Sequence, residues 1–227
     1  MRLKARRLIR FRRRSGAAPS CITCAGKLDG AGAQAQAVLS TQLFAAETGI
    51  QYVHTPFQSM DHHPSGSDAA AWAQRWESFL NLGEGERPNA EIGRRELRVR
   101  RIKKPRHVKQ LVGVLYVIEH CHTFADRRPD LYRKHLDKFR GRYHDAAKDE
   151  LLRFSEGVVK VAAHLRRGDA MRDRNLADRV TEDDFALRVL EQVRTALDHS
   201  RVSYEMHVYS EGRREDFAAF EHRGAIV

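Results

Sequence analysis

The chain has 227 residues, enough to bury a core in one large or two small domains, and its 41% hydrophobic and 31% charged residues are those of an ordinary soluble fold. No apolar run approaches the roughly 20 residues of a membrane span, and three cysteines exclude a disulfide-stapled scaffold. The net charge of +11 is local: Met1–Arg14 carries eight basic residues and no acid, Arg94–Lys109 carries nine and one, and the rest sums to about −5.

Basicity confined to two runs is no property of the fold, which argues against nucleic acid as a partner, although either run could touch a polyanion. The run over 1–17 lacks the apolar core of a secretory signal and reads as a disordered or transit-like tail, available for peripheral membrane contact. A reducing cytoplasm is the expected compartment.

Ala18–Ala25 is a short apolar segment expected to be a strand. It contains Cys21-Ile-Thr-Cys24, whose metal or redox spacing lacks the second pair a zinc site needs, so both cysteines are read as structural. Next come Asp29-Gly30-Ala31-Gly32-Ala33-Gln34 and a segment rich in helix formers that ends at Gly49, a good C-cap. Strand, glycine loop and helix is a geometry in which a helix N-terminus faces an anion. Equally, such a turn can need glycine only for tightness.

Gln51–His54 is expected to be a second strand, and His62-His63 a solvated loop rather than a metal pair. Ser67-Asp68 should cap a helix over Ala69–Leu82 that places Trp72, Trp76, Phe79 and Leu80 on a core-facing stripe. Leu97, Val99 and Ile102 suggest a strand with a charged outer face that ends at Pro105. Val108–Ile118 is strongly apolar. His120-Cys121-His122 after it reads as two half-buried histidines on one strand face, or as a metal site. Pro129-Asp130 opens an amphipathic helix to about Tyr143, with Leu131, Leu136 and Phe139 inward, and Asp145–Glu156 is expected to continue helical.

Val158–Ala163 has the composition of a strand buried on both faces, and it ends in His164-Leu165-Arg166-Arg167-Gly168-Asp169. A charged loop at the carboxyl end of a strand is where open α/β sheets bind ligands. Two arginines there can fork onto a diphosphate, Gly168 permits a tight turn, and Asp169 can brace a guanidinium. From this chemistry alone a solvated loop with an Arg–Asp pair is an equal reading. Thr181 should cap a helix carrying Phe185, Val189, Leu190, Val193 and Leu197 on one face. Val202–Tyr209 should be a strand leading to Ser210-Glu211-Gly212, Asp216–Phe220 a helix, and Ala225–Val227 the start of a further strand.

His164-x-Arg166-Arg167-Gly168-Asp169 after a strand resembles the first motif of the GDP-fucose-dependent fucosyltransferases, the group of α1,2-, α1,6- and protein O-fucosyltransferases. The Asp29–Gln34 segment is similar to the glycine-rich N-terminal loop of that family, with Ala33 where many relatives carry asparagine. Tyr209–Gly212 adds support. The resemblance runs from Asp29 onward and implies an α/β, GT-B-like fold of two Rossmann-like lobes. The N-terminal lobe, on the acceptor side, would occupy 18–150, and a donor-binding lobe 151–227. The second lobe reads as incomplete, without the serine-rich segment that closes the donor pocket in the family. The cleft would lie between the Gly30–Gln34 and Arg166–Asp169 loops.

The implied activity is metal-independent, inverting transfer of fucose from GDP-fucose to a glycan acceptor, with no cofactor. Arg166 would contact the donor β-phosphate, with His164, Arg167, Gly168, Gly30, Gly32, Gln34 and Ser210 also on the donor side. Asp169 and Glu211 are the two candidates for general base. Two arginines do not distinguish GDP from UDP sugars. A polyanion-binding protein using the two basic runs, and an inactive truncated relative, are the alternative readings.

Overall fold

The computed structural model describes residues 18–61, 63, 67–92, 97–109, 112–119, 121, 123–148, 154–172 and 174–227. The expected tail over 1–17 and His62, His120 and His122 lie outside the described residues. The chain divides into two compact units, Met1–Asp149 and Glu150–Val227.

The first unit is α/β. Strands β1 (Cys21–Cys24), β2 (Gln51–His54), β3 (Arg87–Pro88), β4 (Arg98–Ile102) and β5 (Val114–Ile118) form a parallel sheet in the order β3-β2-β1-β5-β4. Helices α1 (Ala31–Thr48), α2 (Ala69–Leu80), α3 (Thr123–Asp126) and α4 (Pro129–Asp145) accompany it. The alternation of β1 sends Cys24 to the core that α1 shares with Tyr52, Tyr116 and Ile118, while Cys21 joins Val53, Leu97 and Leu115 on the opposite face. Side chains three apart on a strand point opposite ways, so Cys21 and Cys24 share no ligand.

Helix α1 is rich in small residues and buried over most of its 18 residues. Its buried polar groups are all bonded. Gln42 donates to Leu82 O (2.9 Å), Thr41 to Ala37 O (2.8 Å), and Ser40 Oγ accepts from Ala125 N (3.3 Å). Gly49 ends the helix in the left-handed region at φ 72°, as its composition predicts. Arg142 of α4, 6% exposed, ties the helices together by donating to Gln42 Oε1 (3.0 Å), Leu82 O (3.1 Å) and Glu86 Oε1 (2.6 Å).

Asp68 caps α2 through Ala71 N (2.7 Å), but the helix stops at Leu80, because Asn81 turns left-handed at φ 52°. Its aromatic stripe is only partly buried. Trp72, Trp76, Phe79 and Tyr143 stack edge to face at 6.1, 5.5 and 5.4 Å, and Lys148 Nζ caps Phe79 and Tyr143 at 4.3 and 3.9 Å. Cys121 is buried outside any strand. Helix α4 ends at Asp145 instead of continuing. Ala146 is extended, and Asn81 Nδ2 donates to the Arg142 carbonyl (3.1 Å), satisfying the helix end.

The second unit pairs β6 (Val159–Leu165) with β7 (Tyr204–Ser210) in parallel along seven residues, and Ile226 bridges to His207 in the same sense. Helices α5 (Asp169–Arg172), α6 (Asp183–His199) and α7 (Ala218–Glu221) complete it. Leu165, Met206 and Val208 pack with Leu187, Leu190 and Phe220. Strand β6 is not buried on both faces. Val159, Lys160, Ala162 and His164 are exposed, and β6 has only β7 beside it among the described residues. Likewise α6 buries Ala186, Leu187 and Leu190, leaving Phe185 and Val189 exposed.

Candidate functional site

The parallel pairing brings the ends of β6 and β7 together, with Leu165 in register with Ser210. Two loops that sequence separates by more than forty residues therefore emerge side by side, at the end of a parallel sheet that favours ligands. Ser210 Oγ donates to the Leu165 carbonyl (2.8 Å), which ties the two exits.

The backbone of Arg166 is held from both sides. Its N–H donates to Thr181 Oγ1 (3.2 Å), and Thr181 N–H donates to the Arg166 carbonyl (3.2 Å). Thr181 was expected to cap α6; its hydroxyl serves Arg166 instead, and the helix starts at Asp183 with Glu182 at its N-cap. Arg167 turns inward, with its side chain 10% exposed. It pairs with Asp183 and lays its guanidinium over Phe217 at 4.6 Å.

Gly168 is left-handed at φ 66°, and Glu211 packs against it so closely that a Cβ would fall 2.5 Å from Glu211 Cδ. Glu211 is otherwise exposed. Asp169 opens α5, and its side chain falls outside the described residues. His164 is exposed opposite Tyr209. Behind Tyr209, buried His207 stacks on Phe154 at 3.8 Å, with Tyr209 OH at 3.4 Å from Nδ1 and Glu205 at 3.3 Å from Nε2.

The first unit places the remaining candidates at the ends of β1 and β2. Gly30 is the N-cap of α1 at φ −56°, a conformation open to any residue, and its carbonyl accepts from Ala33 N and Gln34 N (3.0 and 3.1 Å). Gly32 faces open space. Gln34, 4% exposed, donates its amide to the carbonyls of Asp29 (2.7 Å) and Ser59 (2.9 Å), so it braces the loop. Lys27 pairs with Asp29, whose Oδ1 is buried without a partner among the described residues. Cys24, Lys27, Leu28, Gln34, Thr55 and Phe57 line a small cleft there.

Among the described residues no cluster of His, Cys, Asp or Glu could hold a metal ion; His63 bonds to Ser67 (3.0 Å). All three cysteines are free and buried, and burial pushes the Cys24 thiol up to about 12 and that of Cys121 to about 11.

Sequence reasoning missed Thr181, Asp183 and Phe217 as the holders of the arginine loop. They lie 14 to 51 positions beyond Arg166 and Arg167 (~3.5 Å per residue if extended), and no local pattern links them to it. Comparison of the chain with protein-family models, with curated proteins and with solved structures finds no match.

Proposed function

We propose that the protein is a glycosyltransferase that moves fucose from GDP-fucose onto a glycan acceptor, without a metal and with inversion. The observation that carries the reading is the setting of Arg166. It leaves the end of a parallel strand, on a backbone fixed by Thr181, beside a second loop that brings a carboxylate against the same turn. The acceptor oxygen would attack the anomeric carbon opposite the diphosphate. The bond from that carbon to the β-phosphate oxygen breaks, GDP departs, and the hydroxyl proton passes to a base. A guanidinium held there by its backbone would favour this transition state, because charge grows on the leaving diphosphate.

Arg166 is assigned the diphosphate. Arg167 shapes the loop through Asp183 and Phe217, and Glu211, exposed beside Gly168, is the general base we favour over Asp169. The GT-B arrangement belongs to the same proposal.

The test is calorimetric titration of GDP and of UDP into the chain and into Arg166→Ala, at low and high salt. Salt-tolerant GDP binding that the substitution weakens about 100-fold or more supports the assignment, by analogy with removal of other single electrostatic donors. Binding that ignores the substitution moves the donor elsewhere. Absence of GDP binding to the unaltered chain overturns the reading.

A further inference from the structure

Strand β4 is one of the two edge strands of the five-stranded sheet, and its far edge carries no strand among the described residues. The segment from Arg98 to Lys109 holds Arg98, Arg100, Arg101, Lys103, Lys104, Arg106 and Lys109, all exposed, and no acid. Among the described residues none of the seven has an ion pair. Register puts Arg98 and Arg100 on the sheet face of Val114 and Tyr116, and Arg101 on the opposite face, that of Val117. The result is an edge strand that is cationic on both faces, with no further strand along its outer side among the described residues.

One or two lysines are enough to blunt an exposed edge against aggregation. Seven cations without an ion pair among the described residues exceed that need, and their mutual repulsion works against the compact state. We propose that this cationic edge docks the anionic groups of a carboxylated or sulfated glycan chain, which supplies the acceptor; the inference rests on the transferase reading above.

The segment carries no Phe, Tyr or Trp on which bases could stack, and it offers a strand edge rather than a helix for a duplex groove. Val99, 56% exposed, is its one exposed large apolar side chain among the described residues, too little for insertion into a lipid interface. A flexible glycan chain meets cations on either face of the strand, and its acidic oxygens accept from them.

The experiment titrates a heparin-derived dodecasaccharide into the full chain, into Arg98→Gln/Arg100→Gln/Lys103→Gln, and into Arg12→Gln/Arg13→Gln/Arg14→Gln. Polyuridylate and phosphatidylserine vesicles are run alongside. The edge variant is expected to lose at least about tenfold in dodecasaccharide affinity, with a shallower salt dependence, while the tail variant loses little. Circular dichroism of both variants should match that of the unaltered chain, since the replaced side chains are exposed or lie in the basic tail. Equal loss in the tail variant, no loss in the edge variant, or tighter binding of RNA or vesicles overturns the proposal. GDP titration of the edge variant separates the two readings. Unchanged GDP binding with lost dodecasaccharide binding supports both. Dodecasaccharide binding that depends on the edge, in a chain that never binds GDP, removes the donor reading and with it the acceptor role.

Discussion

Gly168 and Glu211 are in contact across the ends of two parallel strands, and the fit leaves no room for a β-carbon on Gly168. Backbone and side chain both demand glycine, because φ is +66° and a Cβ would press on the carboxylate. Gly168→Ala should cost roughly 1–2 kcal/mol for the left-handed backbone and displace Glu211. Adding Glu211→Ala should relieve the steric share and leave the backbone share. A double-mutant cycle on urea midpoints measures the split, and strict additivity would rule out the contact.

Arg167 is expected to act on stability and Arg166 on binding. Arg167→Ala removes the pair with Asp183 and the stacking on Phe217, at about 1–3 kcal/mol in all, since Asp183 is partly exposed. Thermal denaturation compared across Arg166→Ala, Arg167→Ala and Asp183→Asn reads this out. Arg167→Ala should have the lowest midpoint of the three.

Gln34 separates a bracing role from a donor contact. Gln34→Leu leaves the carbonyls of Asp29 and Ser59 without their partner, at roughly 1–3 kcal/mol. The expected outcome is a lower melting temperature with GDP affinity within about threefold of the parent chain, a difference under ~1 kcal/mol. Weakened GDP binding at unchanged stability would return Gln34 to the donor site.

Glu86 makes the first unit sensitive to acid. Burial pushes its carboxyl up, but hydrogen bonds and charges from Arg142 and Lys138 outweigh that and hold it below its ordinary value of 4.5. A pKa lower in the folded than in the unfolded chain means that folding prefers the ionised form. The stabilisation is fully present above 4.5 and is lost as pH falls through the folded value. Urea midpoints followed from neutral pH down past 4.5 should fall less steeply in Glu86→Gln than in the parent chain.

Local patterns in the sequence were enough to place β2, the Asp68 and Gly49 caps, and the turn after β6, because each depends on residues within a few positions. Burial was harder to read. Val158–Ala163 has the composition of a central strand, yet composition does not report how many neighbours a strand has, and β6 has an exposed face. Thr181 obeys the local rule for a cap and still serves Arg166, since a tertiary partner competes for the same hydroxyl. The Arg142 carbonyl at the end of α4 accepts from Asn81, some sixty residues earlier, as well as from Ala146. In the candidate site the motif itself was legible. The inward turn of Arg167 was not, because Asp183 and Phe217 reach it only through the fold.

The two hydrogen bonds between Arg166 and Thr181 also bear on the entropy of any ligand held there. Ordering a loop backbone costs about 1–2 kcal/mol per residue, and here that ordering is complete once the chain has folded. A ligand of the proposed site would thus gain affinity from Thr181 without touching it, through a conformation that exists before the encounter.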